Sequence, residues 1–236
     1  MFGCAVWAED RVDSSSELAR ARRRLQHAVA WAHVDGWLEY QLALAHTADP
    51  PFDPFPREYV DERFDGPGRR GQVGSYAAFL VQVFLASGKL GAARAELDDI
   101  RRSLPRASPR ARARLRHLSG LLARAEHDLT AADRAHRAAL SGQLAGRHWP
   151  DLAASLEALA GLSIARGDAE SGARLAGAAA SLRARVGATT RQAFEHECLH
   201  RDLAAARHAL RDQFESRYRE GSTLDPDAAV ALALAQ

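Results

Sequence analysis

The chain is 236 residues long, with 47 % hydrophobic and 26 % charged residues and a formal net charge of +2, the make-up of a globular protein able to bury one or two cores. So small a charge does not by itself mark a binder of nucleic acid or of acidic partners, and Cys4 and Cys198 supply neither a disulfide framework nor a zinc knuckle. No apolar run approaches the ~18 residues that span a bilayer, and residues 1–8 are apolar without the charged start of a signal peptide, so a soluble cytoplasmic protein with no membrane partner is expected.

Aromatic residues are only 7 % of the chain and Ala is abundant, which favours helices over strands. Lys89 is the only lysine, a skew that reads as codon bias. In chain order, residues 1–48 read as an N-terminal helical hairpin. Ser14 with Glu17 forms a capping-box signal, and Leu18, Ala21, Leu25, Ala28, Val29 and Ala32 follow at helical spacing before a break at Asp35-Gly36. Residues 49–73 form a connecting segment whose Pro and Gly residues exclude a regular helix, with Phe52 and Phe55 as anchors.

From 74 to 190 the helices come in pairs. One helix runs to Leu85, breaks at Ser87-Gly88-Lys89 and is followed by a second from Leu90 to a stop at Pro105. Helices over 115–126 and 130–144 flank His127-Asp128-Leu129, and helices over 152–166 and 170–186 flank Gly167-Asp168-Ala169. The turns at 88, 127 and 167 lie 39 and 40 residues apart, against roughly 34 for a tetratricopeptide (TPR) repeat. Ala93, Gly120, Ala132 and Ala160 take the positions where paired helices approach closely, Phe84 the aromatic position before the turn, and Pro105 the terminal proline. The expectation is an all-α protein, a TPR-like right-handed superhelix of antiparallel helix pairs.

Residues 191–236 read as capping helices. Stretches 191–210 and 211–219 are amphipathic, Gly221 reads as a stop, and Asp225-Pro226 starts a last helix whose Val230, Leu232 and Leu234 must dock on the open end of the array.

The run Leu156-Glu157-Ala158-Leu159-Ala160-Gly161-Leu162, with Ala165-Arg166-Gly167-Asp168, Ala173-Arg174-Leu175-Ala176-Gly177-Ala178-Ala179 and Leu182-Arg183, resembles the last helical repeat of large bacterial ATP-dependent transcriptional regulators of the LuxR and AfsR (SARP) kind and related predicted ATPases. Glu220-Gly221-Ser222-Thr223-Leu224 and 228–233 look like the usual terminus of that family. Residues 150–236 carry the resemblance, 74–149 only the generic repeat pattern, and 1–73 hardly any. It implies the sensor or interaction arm of such a regulator, without the motor or the DNA reader. A P-loop built on Lys89 fails, since Leu90 stands where Ser or Thr should hold magnesium and position 83 is Val rather than Gly. No helix-turn-helix is recognisable.

Two rival chemistries remain. His196-Glu197-Cys198-Leu199-His200 is H-E-x-x-H, which on a helix sets two imidazoles on one face beside a carboxylate, as in zinc hydrolases. Against it, Arg201 puts a charge directly after the second His, and Leu203 and Ala206 stand where a metzincin continuation needs Gly and His. The expectation is no catalytic residue, no metal ligand and no cofactor. Arginine clusters at 20–24 and at Arg101, Arg102, Arg106, Arg110, Arg112, Arg114 and Arg116 offer a basic patch for nucleic acid, but they have no interleaved aromatics for base stacking and are partly balanced by Glu96, Asp98 and Asp99. In a TPR array the groove-facing positions of the first helices are Gln82, then Arg114, His117 and Arg124, then Glu157. Two Arg and a His suit a carboxylate-bearing protein or peptide partner, or a small acidic ligand.

Overall fold

The structure, a computed structural model, describes residues 78, 81–103, 108–188 and 192–235. The chain divides into two compact units, Met1–Arg63 and Phe64–Gln236, and every described residue belongs to the second. The hairpin expected over 1–48, the segment 49–73 and the arginines at 20–24 lie outside the described residues, as do Pro105 and Arg106.

Four turns of one kind set the architecture. Gly88, His127, Arg147 and Gly167 all have positive φ, at 67°, 63°, 50° and 91°. In each turn the N–H of that residue donates to the carbonyl three back (Leu85, Arg124, Leu144, Ile164), and the next N–H donates to the carbonyl five back (Phe84, Ala123, Gln143, Ser163). This is the Schellman closure of a helix C-terminus, and it lets the chain re-enter a helix within two residues. The helices are α1 (Leu90–Ser103), α2 (Pro109–Ala125), α3 (Leu129–Ala145), α4 (Trp149–Ala165) and α5 (Ala169–Val186), preceded by helical residues 81–86. From α2 to α5 each begins 20 residues after the last, 17 helical residues and a three-residue turn.

The turn at 147 was not marked in the sequence. Its left-handed residue is Arg, and holding a side chain there costs about 1 kcal/mol against Gly, a strain that the two helix-closing hydrogen bonds offset. Helix α2 begins six residues before the expected 115, because Ser108 Oγ accepts from the Ala111 N–H at 3.2 Å with Pro109 in the first turn. Helix α4 begins three residues before the expected 152, with Pro150 in its first turn. Asp128 and Asp168 cap α3 and α5 by accepting from Ala131 N–H at 2.8 Å and Ser171 N–H at 3.0 Å.

Consecutive helices pack against one another around Ala132, Leu140, Leu152, Leu156, Leu159, Leu162, Leu175 and Leu182. Ala93, Ala132 and Ala160 are buried as the pattern of small residues requires, and Trp149 packs on the edge of this core at the start of α4. A Cβ on Gly120 would collide with the His136 ring.

Helix α6 (Ala193–Leu210) packs on α4 and α5, a 3₁₀ turn (Arg211–Gln213) breaks the direction, α7 (Phe214–Ser222) lies on α5, and α8 (Pro226–Leu234) lies across α3, α4 and α5. Asp225 caps α8, its Oδ1 accepting from Ala228 N–H at 2.7 Å. Val230 and Ala233 are buried while Leu234 stays exposed, and the Arg137 guanidinium donates to the Ala233 carbonyl at the negative end of that helix. Gly221 is not a stop. It sits buried in α7 where a Cβ would strike the Arg174 carbonyl, while a Cβ on Gly177 of α5 would strike that of Tyr218. The two helices therefore cross backbone to backbone. Among the described residues 86 % are helical and none is in a strand, and no described helix is long and apolar enough to cross a membrane.

Candidate functional site

Polar side chains gather where α2 and α4, the first members of their hairpins, meet α6. His117 of α2 stands between two partners: Nδ1 lies 3.0 Å from Ser155 Oγ of α4, and Nε2 lies 2.7 Å from Glu195 Oε1 of α6. Arg124, two turns further along α2, donates to both carboxylate oxygens of Asp202 at 2.7 Å. Glu157 of α4 is gripped by Arg183 of α5 in a two-pronged pair at 2.9 Å and 2.9 Å. These groups are buried or nearly so, and a buried pair of this kind persists only where hydrogen bonds replace the lost water.

The electrostatics follow from burial. Desolvation alone would raise the Glu195 carboxyl, but the His117 hydrogen bond and charge, the Arg183 charge and a backbone hydrogen bond at Gln192 together hold it below its ordinary value. His136 of α3 meets His117 edge to face, ring centroids 4.9 Å apart, and neither ring nitrogen is hydrogen-bonded among the described residues. Burial first, then the charges of His117 and Arg124, push its pKa well below 6.5, so the ring is neutral at pH 7.

Ser155, His117 and Glu195 have the connectivity of an acyl-transfer triad, but not its access. Ser155 is 0 % exposed in the middle of α4. Helical N–H groups around it are committed to the helix ladder, so no pair of donors is free for an oxyanion. The chain of hydrogen bonds is a strut fastening α6 to α2 and α4.

Beside the strut lies a cleft of about 180 Å³ lined by Gln82, Arg114, His117, Gln143, Asp151 and Glu195, with Arg183 and Gln192 among its other walls. Gln82 and Gln143 are 7 % and 1 % exposed, and the Gln82 Oε1 and both polar atoms of the Gln143 amide have no hydrogen-bond partner among the described residues.

Of the five groove residues expected from sequence, Gln82, Arg114 and His117 line this cleft, Arg124 is held by Asp202, and Glu157 joins through Arg183. The sequence missed Gln143, Asp151, Arg183, Glu195 and Asp202. The last two belong to a series that helical spacing places on one side of α6. Glu195, Cys198, Asp202 and Ala206 recur at helical spacing and are all turned inward, whereas His196, Glu197 and His200 are exposed on the other side of α6. Burial raises the Cys198 thiol, which keeps it protonated. Among the described residues no three His, Cys, Asp or Glu side chains are grouped as a metal ion needs.

The arginines expected as a basic patch are largely engaged. Arg101 bonds Asp98 and Ser119, both at 2.8 Å, Arg102 pairs with Asp99, Arg110 with Asp151, and Arg116 donates to the Ala138 carbonyl.

The described residues form consecutive helical hairpins with a polar cleft beside the strut. Comparison with known protein families, with curated proteins and with solved structures finds no match.

Proposed function

We propose that the chain is a non-catalytic, TPR-like binding module: stacked helix pairs, in the sense of a superhelix, whose groove side takes a protein or peptide partner or a small acidic ligand. The observation that carries this reading is the cleft beside the strut. It joins three of the five expected groove positions, Gln82, Arg114 and His117, with buried amide atoms that have no hydrogen-bond partner among the described residues. Buried polar groups without partners cost roughly 1–3 kcal/mol each, a cost that a binding protein recovers when its ligand arrives. The equal 20-residue step of α2 to α5 supports repeat stacking. The resemblance to LuxR- and AfsR-type regulators makes this the interaction or sensing arm of a bacterial transcriptional regulator. Zinc hydrolysis would need His196 and His200 to face a water-excluding cleft, and they face outward. Nucleic-acid binding would need the arginines free of their carboxylates.

The test is capture of a bacterial partner by the tagged chain, with the partner identified by mass spectrometry. Capture should be lost with Arg114→Glu and kept with Arg134→Glu on the exposed side of α3. Equal capture by both variants would refute a groove-side site.

A further inference from the structure

We infer that the cleft is a site for a free α-amino acid, bound as its zwitterion. The inference rests on the binding-module reading and gives its groove side a ligand class. Four features of the lining, taken together, define what the ligand must carry.

The first is charge. Arg114 has no ion-pair or hydrogen-bond partner among the described residues, while Arg183 and His117 in the same lining are already matched by Glu157 and Glu195. The free guanidinium calls for an anion, and a planar fork of N–H donors fits a carboxylate. The second is the inventory of unmet hydrogen bonds. Gln143 Nε2 needs an acceptor, and Gln143 Oε1 and Gln82 Oε1 need donors. A carboxylate alone satisfies Arg114 and Gln143 Nε2 but leaves both amide oxygens unmet. An ammonium group brings three donors, enough for both.

The third is the negative charge in the lining. Asp151 and Glu195 line the same cleft. Glu195 shares its charge with His117 at 2.7 Å, and Asp151 meets Arg110 only at 3.5 Å from an arginine side chain that is 60 % exposed. Two carboxylates near one free arginine disfavour a simple dianion and favour a ligand with a positive end. The fourth is size. A space of about 180 Å³ holds on the order of a dozen water-sized positions, and drug-sized pockets run to roughly 300–1,000 Å³. The cleft suits an amino acid rather than a folded peptide segment.

The experiment is isothermal titration of the full chain with each of the twenty L-amino acids, then with three derivatives of whichever binds best: the N-acetyl form, the carboxamide and the acid lacking the amine. Saturable binding is expected for at least one amino acid, weakened at least tenfold in all three derivatives. Arg114→Gln should weaken it at least tenfold as well. Gln143→Leu supplies a readout that a structural glutamine would not give. Removing a buried amide that lacks partners should raise the melting temperature of the free protein while abolishing the ligand-induced rise. No binding by any amino acid would overturn the inference, as would equal binding of the amine-free acid or a Gln143→Leu variant that melts lower and still responds. Partner capture lost with Arg114→Glu alongside a silent titration would defeat this inference alone. Amino-acid binding without any partner would defeat only the protein-partner part of the reading.

Discussion

The C-terminal helices are fastened to the repeat hairpins in two opposite ways. Helix α7 meets α5 through absence: Gly177 and Gly221 remove the atoms that would hold the backbones apart, and Phe214 fills the space beside Ala173 and Ala206 with Arg207 4.6 Å above its ring. Helix α6 meets α2 through charge, in the pairs His117–Glu195 and Arg124–Asp202. Gly161 clears room for the second pair, since a Cβ there would strike the Asp202 carboxylate. The small-residue crossing has one close-packed solution. The charged seam is directional and pH-dependent, and it borders the cleft with its unmet hydrogen bonds.

Breaking the charged seam on one side should have the largest effect. Asp202→Ala leaves Arg124 buried and unpaired and is expected to cost about 3–5 kcal/mol, read as a lower denaturation midpoint with faster hydrogen exchange across 193–210. The double replacement Arg124→Met with Asp202→Leu should recover most of that loss, because the pair together contributes far less than one orphaned charge costs. A double variant as unstable as the single one would contradict a buried seam.

At the other contact, Gly221→Ala is expected to cost about 2–3 kcal/mol by overpacking. The colliding atom is the Arg174 carbonyl, which cannot swing aside as a side chain could. For a domain of this size that is a melting temperature lower by roughly 4–12 °C. Gly91→Ala serves as the comparison. It stands exposed in α1 with nothing near its missing Cβ, and there Ala should raise stability by about 0.5–1 kcal/mol.

Acid should then separate the two regions. His136 is neutral in the fold, with its pKa depressed below 6.5, so the unfolded chain takes up a proton near 6.5 that the folded one refuses. Stability is therefore full above pH 6.5 and falls as the pH drops below it, with a limiting slope of about 1.4 kcal/mol per pH unit. Glu195 is likewise depressed, so its contribution is present above pH 4.5 and is lost as the pH falls through its folded value. His136→Leu should flatten the slope between pH 6.5 and 5 in urea titrations and leave the lower step. A parallel slope in the variant would assign the proton uptake elsewhere.

Much of the array was legible in the sequence. Ala-rich composition, apolar residues at helical spacing and turns marked by Gly88, Asp128 and Gly167-Asp168 are local properties, and local hydrogen bonding suffices to read them. The turn at 147 was hidden because Arg occupies a left-handed position that Gly usually advertises, and α2 was cut short because Ser108-Pro109 stands outside the apolar stripe. Positions 82, 114 and 117 were grouped from repeat register alone, and the three line one cleft.

What gathers around the cleft was not legible. In α6 the H-E-x-x-H pattern and the inward series Glu195, Cys198, Asp202 and Ala206 share one helix, and nothing within the segment says which side turns in. Periodicity gives a helix its sides but not their partners. That choice belongs to residues some seventy positions away: His117 and Arg124 each bond a carboxylate 78 residues later in the chain. Sequence by itself determined the helices and most of their joints. Only tertiary structure decided that α6 is bonded to α2 and packs on α4, that Gly221 is a crossing point, and that Gln82 and Gln143 line a cleft with amide atoms unpaired among the described residues. The reason is physical: helices form through contacts four residues apart, whereas a buried charge or an orphaned amide is defined by whatever the rest of the chain brings to it.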